Sequence, residues 1–594
     1  MLKHILLYKL QLPACQNTFA PHKILCLLPF CSTQIKLSVF NLSPYNLSYL
    51  FRLHRVRWSM TRFPKIAVLS IALPVLFILV LICRDRGLNP FIGAEDDLSK
   101  LIREDEPTSE DEINGENQLS SDKLLGGLLA PNFTRRDCLS RYQSISYRKS
   151  SPYVPSLYLV SKLREYEKLH NRCGPDTESY KNSIKDMVSG QNDSSSECRY
   201  VVWIARAGLG NRILSIASAF LYALLTNRVL LIDEEPEMAN LFCEPFPNAT
   251  WLLPKDFPFM YRISRFKQNY AKSYGNMLKK NKINASTELL PTHLYLYLCN
   301  DYDHHDKLFF CDQDQTILRN IPWLIMKSNL YFLPSLFLMS SFEEELDKLF
   351  RDKEMVFHHL GRYLFHPSNH VWKLITSYYK KYLADAEERV GIQIRIFHKN
   401  SSPFQQVMDQ ILSCTDKEKL LPQVDMGKSI VAPFGKGKSK AVLITSLIPS
   451  YYEKMKNMYL KHPTLNGEVV AVYQASHEVT QHTMKNVHNQ KAWAEINLLS
   501  MMDVLVTSAG STFGYVAQGL GGKRPWILYK TETQKIPDPV CGRAMSMEPC
   551  FHCPQVYDCK AKREVDTATI IPYLRHCDDL YWGTKLFNSS SQKP

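Results

Sequence analysis

Between Arg199 and Asp233 the chain reads RYVVWIARAGLGNRILSIASAFLYALLTNRVLLID. Arg199–Ala205 is an apolar run of strand length, rich in β-branched and aromatic residues. Gly208-Leu-Gly-Asn211 reads as a tight glycine loop, Ile213–Thr226 as a mostly apolar helix, and Arg228–Asp233 as a second strand. A helix that is apolar on all sides has to be buried against other structure. The stretch is therefore one strand–loop–helix–strand unit of an α/β protein.

The same logic recurs downstream. Arg389–Phe397, Ala441–Ser446, Glu468–Tyr473, Asp503–Thr507 and Trp526–Tyr529 read as strands. Helices are expected from Pro449 to about Lys461, over Trp493–Met501, and after Ser508-Ala-Gly-Ser-Thr-Phe-Gly514. Alternation over this length predicts two parallel-sheet domains, with a site in the cleft between them at the carboxyl ends of the strands. The expected division is 131–388 for the first domain and 389–594 for the second, which ends in a Cys-rich tail.

Ahead of these lies a different kind of sequence. The net charge of +14 is unevenly spread: residues 1–65 carry nine bases and no acid, and residues 84–122 carry twelve acids and four bases. Between them Ile66–Cys83, IAVLSIALPVLFILVLIC, carries no charge. Eighteen apolar residues, about 27 Å as a helix, just span a bilayer. The basic flank then puts the N-terminus in the cytosol. The expected order is a cytosolic tail (1–65, of which 1–59 reads as an extension ahead of a start at Met60), a membrane anchor (66–83), a flexible acidic stem (84–130) and a lumenal body. Glycosylation triplets at Asn132, Asn192, Asn248, Asn284, Asn400 and Asn588, and twelve cysteines after residue 130, suit a lumenal, oxidising compartment. That placement argues against a nucleic-acid binder, and it favours disulfides over zinc at Cys541, Cys550, Cys553 and Cys559.

Several motifs carry chemistry. In Ser508–Gly514 a strand runs through glycine and hydroxyl residues into a helix, the pattern of an anion site at a helix N-terminus; the bland alternative is a capped helix after a tight turn. Arg395, in an apolar strand, is costly unless it is paired or faces a cleft, where its planar fork suits a diphosphate. Gly208-Leu-Gly-Asn211-Arg212 lacks the third glycine of a nicotinamide fingerprint, and Gly435-Lys-Gly-Lys-Ser439 lacks the leading glycine of a P-loop. Asn300-Asp-Tyr-Asp-His-His-Asp306 offers general bases, and its Asp-x-Asp pair, like Asp312-x-Asp314, has the spacing of a weak cation site.

Together the stretches 208–233, CEPFPNATWLLP (243–254), VGIQIRIF (390–397), SLIPSYYEKMKNMYL (446–460) and HNQKAWAEINLLSMMDVLVTSAGSTFGYVAQGLGG (488–522) resemble the plant xyloglucan-type galactoside 2-α-L-fucosyltransferases. The resemblance covers roughly residues 130–580. It implies two Rossmann-like domains of the GT-B type, the first facing the acceptor and the second holding the nucleotide sugar. It implies inverting transfer of L-fucose from GDP-β-L-fucose to O2 of a galactosyl residue on a cell-wall glycan, xyloglucan-like or arabinogalactan, in the Golgi. On it, Arg395 meets the diphosphate, Trp493, Glu495, Ser511, Thr512, Phe513 and Tyr515 bind the donor, and the loop of Gly208, Gly210, Asn211 and Arg212 faces the sugar. Asp301 or Asp306 is the implied base; the family typically has His–Asp–Tyr where this chain has Asn300-Asp301-Tyr302. No metal or other cofactor is implied, and the partners are GDP-fucose, a galactosylated polysaccharide or proteoglycan and the membrane, with a homodimer left open. The alternative from another class is a membrane-anchored glycan-binding protein of the same fold without catalysis.

Overall fold

The computed structural model describes residues 97–103 and 124–588, apart from 132, 134–136, 150, 191–197, 234–237, 264, 285, 288, 398–401, 430–437 and 532–534. The expected anchor Ile66–Cys83, the tail before it and most of the acidic stem lie outside the described residues. Among the described residues no helix is long and apolar enough to cross a membrane. All of the elements below belong to one unit, Glu95–Pro594.

The quoted stretch begins a four-stranded parallel sheet. Its strands β1 (Tyr200–Ile204), β2 (Val229–Ile232), β3 (His293–Leu298) and β4 (Trp323–Ser328) lie in the order β2-β1-β4-β3. Every residue of β1, β2 and β3 is buried, as expected of parallel strands covered on both faces. Tyr200 and Trp323, in register across β1 and β4, stack with ring centroids 3.9 Å apart. Helix α1 runs Leu209–Leu225, four residues longer at its start than the apolar run predicts. Gly208 is its N-cap, so the expected glycine loop is in fact the first turn of the helix. The serines of this helix return their hydroxyls to its own carbonyls, Ser215 to Arg212 and Ser218 to Leu214, which makes them tolerable in a buried helix.

A six-stranded sheet follows, in the order β10-β9-β8-β5-β6-β7. Its strands are β5 (Glu388–Ile394), β6 (Ser439–Ser446), β7 (Val469–Tyr473), β8 (Val504–Ser508), β9 (Trp526–Leu528) and β10 (Cys541–Arg543). Only β10 runs antiparallel within it, against β9. Strand β5 stops one residue before Arg395, which therefore sits just past a strand's carboxyl end. One apolar core runs from the first sheet through α2 (Val356–Leu364), α3 (Asn486–Ser500) and α4 (Thr512–Gly521); a smaller one lies under β5, β6 and β8.

The C-terminal tail does not stay with the second sheet. Glu548 accepts hydrogen bonds from the Tyr331 hydroxyl (2.5 Å) and the Phe357 N–H (2.7 Å). Tyr302 donates to the Cys553 carbonyl, and Cys311 is disulfide-bonded to Cys559. Further disulfides join Cys138–Cys243, Cys173–Cys198, Cys414–Cys541 and Cys550–Cys577. Cys299 and Cys553 take no part in disulfides and are buried. With Cys541, Cys550 and Cys559 oxidised, Cys553 is the one thiol left of the four, too few for a zinc site of cysteines. Non-reducing peptide mapping of the full chain should return these five linkages. The Cys311→Ser/Cys559→Ser double variant should lose about 2–5 kcal/mol of stability, read as a lowered denaturation midpoint.

Candidate active site

The loop that leaves β1 and enters α1 touches three separate parts of the molecule. Ala207 is held at φ +67° and its carbonyl accepts from Arg212 Nε (2.9 Å). Gly208 lies so near the Gln481 amide that a Cβ would come within 2.5 Å of Nε2. Gln481 in turn accepts from Arg395 Nη2 at 2.8 Å. A Cβ on Gly210 would sit 2.8 Å from the Thr512 carbonyl carbon. Gly210 lets α1 approach the Thr512–Phe513 backbone directly, and Gly208 leaves room for the Gln481 amide, which is a steric reason for the G-x-G spacing. Asn211 completes the junction, accepting from Thr512 Oγ1 (3.1 Å) and donating to the Asn329 carbonyl (3.0 Å). Arg212 is buried and donates to the Thr483 carbonyl, so it ties the two segments together and does not present its guanidinium to solvent.

On the second sheet, the carboxyl ends of β5, β8 and β9 open onto a groove of about 440 Å³. Arg395, Phe397, Ser508, Ala509, Tyr529 and Lys530 are among its lining residues. The Arg395 N–H donates to Ser508 Oγ (3.0 Å), which couples the two strand ends. Burial lowers the Arg395 pKa from its ordinary value, though not enough to discharge a guanidinium. After Ser508 the chain turns through Gly510, at φ +69°, and enters α4 with Ser511 as N-cap; no side chain bonds across that cap. Asp579, from the turn of the hairpin Leu574–Leu586, accepts from the Gly510 N–H (2.8 Å) and the Tyr515 hydroxyl (2.6 Å). Burial, and then Asp579, push the Tyr515 phenol well above its ordinary value, so it acts as a hydrogen-bond donor.

On the first sheet, Asp301 follows β3 with its side chain 51% exposed, beside Arg206 and Tyr297. Asp306 is different. It is 3% exposed and closes the capping box of the short helix His304–Lys307 with Asp303, and it accepts from Gln268 (3.0 Å). Burial raises its pKa to about 7. It is occupied as a helix cap, whereas the Asp301 carboxylate reaches solvent. The acids with cation-site spacing are likewise engaged: Asp303 caps that helix, Asp312 accepts from Ser340 and Ser341, and Asp314 accepts from Tyr274. Asn300, the departure from the family pattern, forms a reciprocal pair with Asn329 (3.0 and 3.2 Å). Hydrogen bonds through side chains and backbone thus link Asn300 to Asn329, Asn211 and Thr512.

The structure brings together Arg395, Ser511, Thr512, Phe513 and Tyr515 with Gly208, Gly210 and Asn211. Trp493 is not among them. It is fully buried, packed edge-on against Phe242 at 5.1 Å, and is a core residue; an aromatic flanked by apolar neighbours could not be told from a ligand contact by spacing. Glu495 is 8% exposed and accepts from the Ser476 N–H (3.1 Å) below the end of β7. Gln481, Asp579, Lys530, Arg206 and Tyr297 were not anticipated; each comes from a segment without a periodic pattern or is an isolated polar residue in one. Asn248 and Asn284 are exposed and Asn588 is partly so, while Asn132, Asn192 and Asn400 lie outside the described residues.

Residues 99–560 match the family model described as xyloglucan fucosyltransferase. The chain belongs to that family. It is 54% identical over 515 residues to the galactoside 2-alpha-L-fucosyltransferase of Pisum sativum, covering 87% of this chain and 90% of that one. It is 58% identical over 468 residues to that of Arabidopsis thaliana, with 79% and 84% covered. Among solved structures it is similar to an Arabidopsis thaliana FUT1 mutant in complex with GDP, at a TM-score of 0.72 and 57% identity, over 78% of this chain and all of that one. The xyloglucan fucosyltransferase family is thus carried on the α/β body with its two sheets. In this family member Gly210→Ala should force α1 away from α4. We expect about 1–3 kcal/mol lost in thermal denaturation.

Proposed function

We propose that this chain is a galactoside 2-α-L-fucosyltransferase. It transfers L-fucose from GDP-β-L-fucose to O2 of a galactosyl residue on a plant cell-wall glycan of the xyloglucan or arabinogalactan kind. The observation that carries the reading is Arg395 at the groove, held by Gln481 and Ser508 beside the N-terminus of α4. A guanidinium fork and the orphan N–H groups of a helix start are the groups that suit a diphosphate. The names of the relatives supply the sugar and the linkage.

In the reaction, the acceptor O2 forms a bond to the fucose anomeric carbon on the face opposite the phosphate. The bond from that carbon to the GDP oxygen breaks, and its electron pair leaves with GDP. Arg395 and the start of α4 take up the charge that develops on the leaving diphosphate. The hydroxyl proton passes to Asp301, the exposed carboxylate of the acceptor-side sheet. One displacement turns a β-linked donor into an α-linked product. The two parallel sheets are read as the two Rossmann-like domains of a GT-B enzyme, acceptor side first. The apolar run and its unequal charged flanks support a single-pass type II anchor at Ile66–Cys83 with a lumenal body, and the Golgi is the compartment that the family resemblance implies.

The test is transfer from GDP-fucose to a panel of galactosylated acceptors by the full chain in detergent. Failure with every acceptor would remove the assignment. Arg395→Lys keeps the charge but loses the fork, and should lower kcat about 100-fold or more with normal expression. Asp301→Asn should lower kcat by about 10²–10⁴-fold, and Asp306→Asn, which keeps the cap, should change it little. Addition of EDTA should leave the rate unchanged, because the charge on the leaving group is met by protein groups.

A further inference from the structure

We propose that Arg206 and Tyr297 are positioning residues that aim the Asp301 carboxylate at the acceptor hydroxyl. The proposal rests on the reading of Asp301 as the proton acceptor. The three residues come from the carboxyl ends of two strands that are not neighbours in the sheet: Arg206 lies two residues past β1, Tyr297 is in β3, and Asp301 lies three residues past β3. The Tyr297 hydroxyl donates to Asp301, with Oδ1 at 2.9 Å and Oδ2 at 3.1 Å. Arg206 donates through Nη1 to the Tyr297 hydroxyl oxygen, and its Nη2 lies 3.4 Å from Asp301 Oδ2.

The polarity of this chain is fixed by the groups in it. A guanidinium can only donate, and a phenol has a single proton. With Arg206 donating to the phenol oxygen, that proton is committed to the carboxylate. The anchor is buried: Tyr297 is 4% exposed, and its ring packs edge-on against Phe266. The working end is open, because the Asp301 side chain is half exposed. A carboxylate offers about four lone-pair sites. Tyr297 and Arg206 reach both oxygens, and the half-exposed carboxylate keeps its remaining acceptor capacity for solvent. Arg206 immediately precedes the start of α1, where Gly208 is the N-cap and Asn211 lies in the first turn, so the aim of Asp301 is referenced to the same backbone that contacts the donor-side segments. An exposed ion pair by itself adds little to stability, so these contacts are not explained as a brace for the fold.

The experiment measures fucosyl transfer by the full chain for Tyr297→Phe, Arg206→Lys, Arg206→Gln, Asp301→Asn and the Tyr297→Phe/Asp301→Asn double variant. GDP affinity and melting temperature are measured in parallel. Tyr297→Phe keeps the ring and should lower kcat about 10- to 100-fold, with GDP affinity within about twofold of wild type. Arg206→Lys should retain more kcat than Arg206→Gln. The double variant should be no slower than Asp301→Asn alone, since Tyr297 acts only through Asp301. Wild-type kcat in Tyr297→Phe, or a double-variant loss equal to the product of the single losses, would overturn the proposal. Wild-type kcat in Asp301→Asn would overturn both it and the role given to Asp301, and absence of transfer by the unaltered chain would overturn the functional reading beneath them.

Discussion

The contact between the first turn of α1 and the first turn of α4 is the constraint on which the rest of the structure turns. Two helix N-termini approach until Gly210 lies against the Thr512 backbone, and Asn211 accepts the Thr512 hydroxyl. Neither side chain nor sheet could be inserted there. Because α1 and α4 share the apolar core that continues from the first sheet, and α4 leads directly out of β8, this contact helps fix where the strand ends of one sheet lie relative to the other. The positions of Asp301 and Arg395 follow from it, through Asn329 and Asn300 on one side and Gln481 on the other.

The groove at the carboxyl ends of β5, β8 and β9 is built at some electrostatic cost. Arg395 is partly desolvated and bonded to an amide, not to a carboxylate. A neutral partner orients the guanidinium without neutralising it, so its charge stays available to an anion. At the start of α4 the order is reversed. There a carboxylate, Asp579, takes the Gly510 N–H and the Tyr515 hydroxyl, and so shapes the turn ahead of the helix from behind. The molecule thus uses a neutral contact where charge has to be presented and a charged one where backbone has to be held.

Much of this was legible in the residues. The apolar strand and helix runs located β1, α1, β2, β5, β6, β7, β8 and β9 to within a few residues, because burial on both faces leaves a continuous apolar signal. Strands β3 and β4 are harder to see, as HLYLYL and WLIMKS interleave polar and aromatic residues with the aliphatic ones. The loop reading of Gly208–Asn211 failed for a physical reason: glycine there serves a close approach inside a helix, and not a turn. Arg395, Asp301 and the Ser511–Tyr515 segment were reached from motif and resemblance. Gln481 and Asp579 were not, since each becomes meaningful only when segments more than 60 residues apart meet. Asp306 and Trp493 show the converse, where residue types suited to chemistry are consumed by a helix cap and a core.

The tail that carries Cys559 and Glu548 across to Cys311 and Tyr331 bears on how this protein can be re-engineered and how it can diverge. A cut near the start of β5 yields two pieces by chain order, but the last stretch of the second piece is part of the first one's interior. Hybrids that splice the front of one relative to the back of another would therefore import a foreign tail into the body of the first sheet and mismatch Glu548 against Tyr331 and Phe357. The front half and the tail thus form a non-contiguous pair, and such pairs are exchanged cleanly only by crossing over twice.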